Sequence, residues 1–94
     1  MKTIKSVTIM PLFVDTIPDP EHMEEKVFYI CQEYRTISHL CLCGCKNEVV
    51  TPLTVEGWIL TGDVHKISLS PSIGSYNLPC KSHYVIRNNV ANFI

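Results

Sequence analysis

The sequence predicts an all-β domain, a small sandwich or open barrel of short antiparallel strands. Three observations carry this reading. Short runs rich in Val, Ile, Thr and Tyr recur along the chain, several of them alternating apolar and polar residues. Pro, Gly and Asn punctuate the gaps between the runs. No stretch keeps the apolar stripe of period 3.6 that an amphipathic helix needs, and about eight strands with turn signals between them suit a sandwich or barrel. The 94 residues have room for one core, so residues 1–94 are expected to form a single domain. A domain of this size buries a modest share of its surface and gains from cross-links.

Thr3 to Met10 is β-rich and suits a first strand, which Pro11 is expected to end. Phe13 to Lys26 holds Pro18 and Pro20, whose rings fix φ and remove backbone donors, and then the acidic Glu21, Glu24 and Glu25. It reads as a loop with at most one helical turn and a solvated charged face. Val27 to Gln32 and Thr36 to Leu40 read as strands, the second leading straight into Cys41. A short apolar piece at Val49–Leu53 follows. Gly57 to Thr61 and Val64 to Leu69 then read as a hairpin about Gly62-Asp63. Trp58 is the largest apolar anchor, expected in the core with its indole nitrogen at the edge. Ser68 to Gly74 reads as a shaped loop, too polar and too interrupted by Pro71 for a central strand. His83 to Arg87 and Val90 to Ile94 close the chain as a hairpin around Asn88-Asn89, since Asn tolerates left-handed geometry.

The net charge is −1 and the basic residues are scattered, so the basic field that dominates nucleic-acid binding is missing. No apolar run approaches the length of a membrane span, and the first residues lack the apolar core and cleavage site of a signal peptide. These features lead to an expectation of a cytoplasmic protein with neither a nucleic-acid nor a membrane partner. In a reducing compartment clustered thiols hold metal more often than they pair, and an odd count of five agrees.

Four of those cysteines and two of the four histidines lie in His39–Cys45 and Cys80–His83. A zinc ion, Zn²⁺, takes four thiolate or imidazole ligands in a tetrahedron. Cys41, Cys43, Cys45, Cys80, His83 and His39 compete for those places. The set Cys41, Cys43, Cys45 and Cys80 leaves both histidines for other work. Gly44 allows the positive φ that wraps the chain around an ion. Cys31, inside an apolar run, reads as a core thiol.

Hydrolysis requires a nucleophile elsewhere. Ser72 is the first choice, bracketed by Pro71 and Gly74 in a stiff stretch whose amides suit an oxyanion, with Ser70 and Ser68 as alternates. Ser82 is a poorer partner for His83, because neighbours on an extended backbone point to opposite faces. The base is His39 or His83, according to which one a metal takes, with Glu48 or Asp63 to orient it. His22 and His65 read as surface residues. Cysteine-rich ligation and the lack of a His-Glu-x-x-His arrangement weigh against a metal-bound water as the attacking group.

The order His39-x-Cys41-x-Cys43-Gly44-Cys45, Trp58, Ser70-Pro-Ser72-Ile-Gly74, Cys80-x-Ser82-His83-Tyr84 resembles a family of small bacterial proteins long listed as a domain of unknown function. Its members are encoded in bacterial ubiquitination-like operons, beside a ubiquitin-like protein and E1-like and E2-like enzymes. The resemblance spans roughly residues 27–93. Leu42 and Lys46 depart from the Cys-Pro-Cys-Gly-Cys-Gly run common in the family, a difference that touches the local turn. The resemblance implies a zinc-stapled β fold and a peptidase acting on the ubiquitin-like protein, in precursor maturation or in deconjugation. The reading that follows is a hydrolase with a serine nucleophile and a structural zinc, cutting after the C-terminal tail of that partner. The alternative is a non-catalytic zinc module that recognises the ubiquitin-like protein or its E1-like and E2-like enzymes.

Overall fold

The structure, a computed structural model, describes residues 6–74 and 81–94. Cys80 and the start of the expected first strand, residues 3–5, lie outside the described residues. Among the described residues nine strands form two sheets: β1 (Ser6–Thr8), β2 (Met10–Phe13), β3 (Val27–Cys31), β4 (Thr36–Leu40), β5 (Glu48–Pro52), β6 (Ile59–Gly62), β7 (Ile67–Gly74), β8 (His83–Arg87) and β9 (Val90–Phe93). One sheet has the order β1-β9-β8-β7-β6 and the other β2-β3-β4-β5. The all-β class expected from the sequence is the observed one, as two open sheets.

The core lies where the inner faces meet. Phe28, Ile30 and Ile37 of the four-stranded sheet pack on Ile67, Leu69, Ile73, Tyr84, Ile86 and Ala91 of the five-stranded one, with Ile9 between β1 and β2. Burying each large side chain contributes about 1.5–3 kcal/mol before the entropy of ordering it. Strands β3 and β4 are covered on their other face as well. The segment from Val14 to Lys26, with a single 3₁₀ turn at Pro20–His22, lays Met23, Val14 and Ile17 against Tyr29 and Leu40. This second layer explains why Val27–Cys31 runs apolar without alternating.

Three readings are corrected by the strand pairing. The first expected strand is two strands: β1 pairs antiparallel with β9, whereas β2 pairs parallel with β3, so the pairing is not antiparallel throughout. Pro11 lies inside β2 instead of ending a strand. The Met10 amide donates to the Lys26 carbonyl at 2.8 Å, so by alternation the Pro11 nitrogen points away from β3. Since β2 is an edge, no ladder bond is lost there.

The third correction concerns Ser68–Gly74, which belongs to a continuous interior strand between β6 and β8. The irregularity expected there is present as a bulge. Leu69 pairs with Ile86 and Ile73 with Tyr84, so Ser70, Pro71 and Ser72 stand opposite Val85 alone. A bulge is where an interior strand tolerates proline.

The hairpin turns fall where expected, but the first is longer: β6 ends at Gly62 and β7 begins at Ile67, so Val64, His65 and Lys66, read as strand, lie in the turn. Gly62 has φ +106°, and a Cβ there would lie 2.1 Å from the Lys66 carbonyl oxygen. Asp63 accepts the His65 and Lys66 amides at 2.8 and 3.1 Å. Asn88 and Asn89 take φ of 51° and 65° between β8 and β9.

Candidate active site and cysteine cluster

Strand β8 distributes the candidate residues between two faces. Tyr84 and Ile86 are buried against the core, so His83 points outward from the five-stranded sheet. The Ile94 amide donates to the His83 carbonyl at 2.9 Å, which turns the backbone groups of His83 toward β9 and those of Tyr84 toward β7. Ile73–Tyr84 is therefore the hydrogen-bonded pair and Gly74–His83 the non-hydrogen-bonded one, whose Cα atoms approach to about 4.5 Å. Gly74 has no side chain to occupy the space across from His83. The imidazole reaches the diagonal neighbour, Ser72, with Oγ to Nε2 at 2.6 Å. The Ser72 carbonyl in turn accepts the indole N–H of Trp58 at 3.3 Å, a contact that sequence reasoning missed. Trp58 itself is half-buried against the core, as expected.

Ser82, one residue earlier, is buried and faces the other way, its Oγ 3.3 Å from the Cys41 sulfur. Cys41, Cys43 and Cys45 lie on a turn closed by the Cys41 amide on the Asn47 carbonyl and the Gly44 amide on the Cys41 carbonyl. Gly44 has φ +97° with open space around its Cα. The three sulfurs lie within 4.8 Å of one another, and Cys41 and Cys43 are 3.5 Å apart. Tetrahedral zinc with bonds of ~2.3 Å sets its sulfurs about 3.8 Å apart, so this group fits a thiolate-bound metal ion. The Asn47 side-chain amide donates to the Cys45 sulfur at 3.2 Å, as the neighbours of ligating thiolates do. None of the described cysteines forms a disulfide. Cys31 is buried elsewhere, 3.4 Å from the Asp15 carbonyl.

His39 also points inward. Its ring stacks on Phe28 at 3.9 Å between centroids and its Nε2 meets the Tyr84 hydroxyl at 2.7 Å. Its Nδ1 is buried with no hydrogen-bond partner among the described residues. Burial pushes its pKa down to about 3, so the ring is neutral at ordinary pH. The Tyr84 hydroxyl also meets Cys41 and the Leu42 backbone, and its pKa is raised, chiefly by burial and next by the Cys41 sulfur.

The hydrogen bonds therefore bring Ser72 to His83 and set His39 apart, tied to the cysteine turn through Tyr84. Glu48 accepts the Ser38 hydroxyl and Asp63 closes its own turn. His22 and His65 are exposed. Alternation along β8, counted from the buried Tyr84 and Ile86, is the sequence signal that separates the neighbours Ser82 and His83.

The comparisons with known proteins bear on this geometry. Residues 13–94 match the model of one family, the bacterial ubiquitination-like system serine protease BubE. The chain belongs to this family. The BubE match agrees with the resemblance carried by the cysteine, serine and histidine motifs, and it covers both Ser72 and His83. No curated protein and no solved structure matches the chain significantly. Among the described residues no helix is long and apolar enough to cross a membrane.

Proposed function

We propose that this BubE-family protein is a serine peptidase that cuts at the C-terminal tail of a ubiquitin-like protein, with Ser72 as nucleophile and His83 as general base. The observation that carries the assignment is the 2.6 Å contact between Ser72 Oγ and His83 Nε2, within the reach that proton transfer needs. His83 takes the Ser72 proton as Oγ attacks the scissile carbonyl carbon. Backbone amides of the bulged stretch are the proposed donors to the oxyanion. His83 then hands the proton to the leaving amine as the C–N bond breaks, leaving the tail esterified to Ser72. Water, deprotonated by His83, attacks that ester, and the proton returns to the Ser72 oxygen as it departs. His39, sealed in the core at low basicity, serves in this reading as a support for Tyr84.

Cys41, Cys43 and Cys45 would hold zinc. Cys80 is the proposed fourth ligand, because Ser82, two residues away, already lies against Cys41 and two residues of chain span about 7 Å. Bound there, the ion supplies no chemistry to the substrate and acts as a structural cross-link. The cysteine turn and the entry to β8 are held together by that link, and His83 is the first residue of β8. The tail, in extended form, is read as an added strand at a sheet edge. In this reading the protein works in the cytoplasm, beside the E1-like and E2-like enzymes of such a system.

The test is cleavage of a fusion between the ubiquitin-like protein and a C-terminal extension. Ser72→Ala and His83→Gln are each expected to lower the rate by about 10³-fold or more, with melting temperature and metal content unchanged. Wild-type cleavage by Ser72→Ala would sink the assignment. Binding of the ubiquitin-like protein without cleavage by the native chain would favour the non-catalytic recognition module instead.

A further inference from the structure

The reactive serine of the proposed mechanism sits in the least tethered part of its strand. Strand β6 stops pairing with β7 at Ile59–Ser70, and on the other side Ser70, Pro71 and Ser72 share the single partner Val85. A nucleophile in such a bulge needs another restraint, because attack geometry tolerates little displacement. That restraint is the Trp58 indole N–H, bonded to the carbonyl of Ser72 itself.

Trp58 is in turn held from the opposite sheet. Its amide donates to the Pro52 carbonyl on β5 at 3.0 Å, and the Gly57 amide donates to Thr54 at 2.9 Å. The chain can approach Pro52 this closely because residue 57 lacks a Cβ, which would lie 2.3 Å from that carbonyl oxygen. The ring packs on the core cluster. Trp58 is thus a strut, with its backbone fixed to one sheet and its ring nitrogen fixed to the nucleophile's peptide on the other.

We propose that Trp58 is a positioning residue for Ser72, acting through its indole N–H on the Ser72 carbonyl. The proposal rests on Ser72 being the nucleophile. It assigns a function to the tryptophan beyond filling the core, and to Gly57 the function of letting the strut seat.

The chain holds a single tryptophan, so growth of a tryptophan auxotroph on benzothienylalanine replaces the N–H by sulfur at position 58 alone while keeping the ring. The expected result is a fall of about tenfold in kcat for fusion cleavage. The rate of Ser72 labelling by a fluorophosphonate falls in parallel, while KM and melting temperature stay near the native values. Incorporation of 4-fluorotryptophan, which keeps the N–H, restores both rates. Gly57→Ala shifts the strut without touching the indole and is expected to lower kcat in the same direction.

Native kcat and labelling rate in the benzothienylalanine protein, with Ser72→Ala inactive, would overturn the positioning function and leave the nucleophile standing. Full cleavage by Ser72→Ala would overturn both. A loss of melting temperature matched by the loss of rate would reduce Trp58 to a core residue and also overturn the proposal.

Discussion

Two histidines in this protein each meet a hydroxyl through Nε2 at nearly the same distance, His83 with Ser72 at 2.6 Å and His39 with Tyr84 at 2.7 Å. Their surroundings differ completely. His83 and Ser72 are partly exposed on the outer face of the five-stranded sheet. His39 is sealed between the sheets and stacked on Phe28. Burial disfavours the imidazolium that a general base must become, so the inner contact suits packing, while the outer one is compatible with the proposed proton transfer. Location relative to the core, rather than the histidine–hydroxyl pair itself, separates the proposed dyad from the packed pair.

The largest effect is expected at the outer pair. Ser72→Ala is expected to lose about 10³-fold or more in cleavage while a thermal melt moves little, because Oγ is not part of the core. Metal removal comes next. Chelation, or Cys43→Ser, is expected to destabilise by about 3 kcal/mol or more and to lower the melting temperature by roughly 15 °C, with metal content read by mass spectrometry. Native stability in fully metal-free protein would discard the staple.

At the inner pair, Tyr84→Phe removes the hydroxyl and leaves a second nitrogen of His39 buried without a partner. It is expected to cost about 1–3 kcal/mol in urea unfolding, with kcat per folded molecule close to native. A collapse of kcat in stable protein would show that the inner pair takes part in the reaction. The smallest effect belongs to Ser82→Ala, next to His83 in sequence and on the opposite face. Loss of its contact with Cys41 is expected to cost about 0.5–1.5 kcal/mol and to leave cleavage unchanged.

The sequence made β3, β4 and the β8–β9 hairpin legible, because β-branched and aromatic residues there run between unambiguous turn residues. It concealed β7, where local polarity and Pro71 argued for a loop. The bulge reconciles the two, since it admits proline while Leu69 and Ile73 still reach the core. Ser72 stood out because Pro71 and Gly74 bracket it. Gly74 also lies directly across the strands from His83. The choice between His39 and His83 was open from spacing alone, because ligand spacing does not encode which face of a sheet a side chain takes. Trp58 was readable as a core anchor, but its bond to Ser72 depends on a strand crossing that no local pattern announces. The direction of the β2–β3 pairing is likewise a long-range property, and edge strands carry little signal for it.

The passage of the chain through Ile9 has a mechanical consequence. Residues 6–8 form the outermost strand of one sheet and residues 10–13 that of the other, so one short ribbon hems both layers along the same border. Peeling it back would bare two rows of unpaired backbone groups at once and invite chain-to-chain pairing at each. That border couples the exposure of the two sheets, and a lesion in these few residues would reach the solubility of the whole domain without touching either histidine.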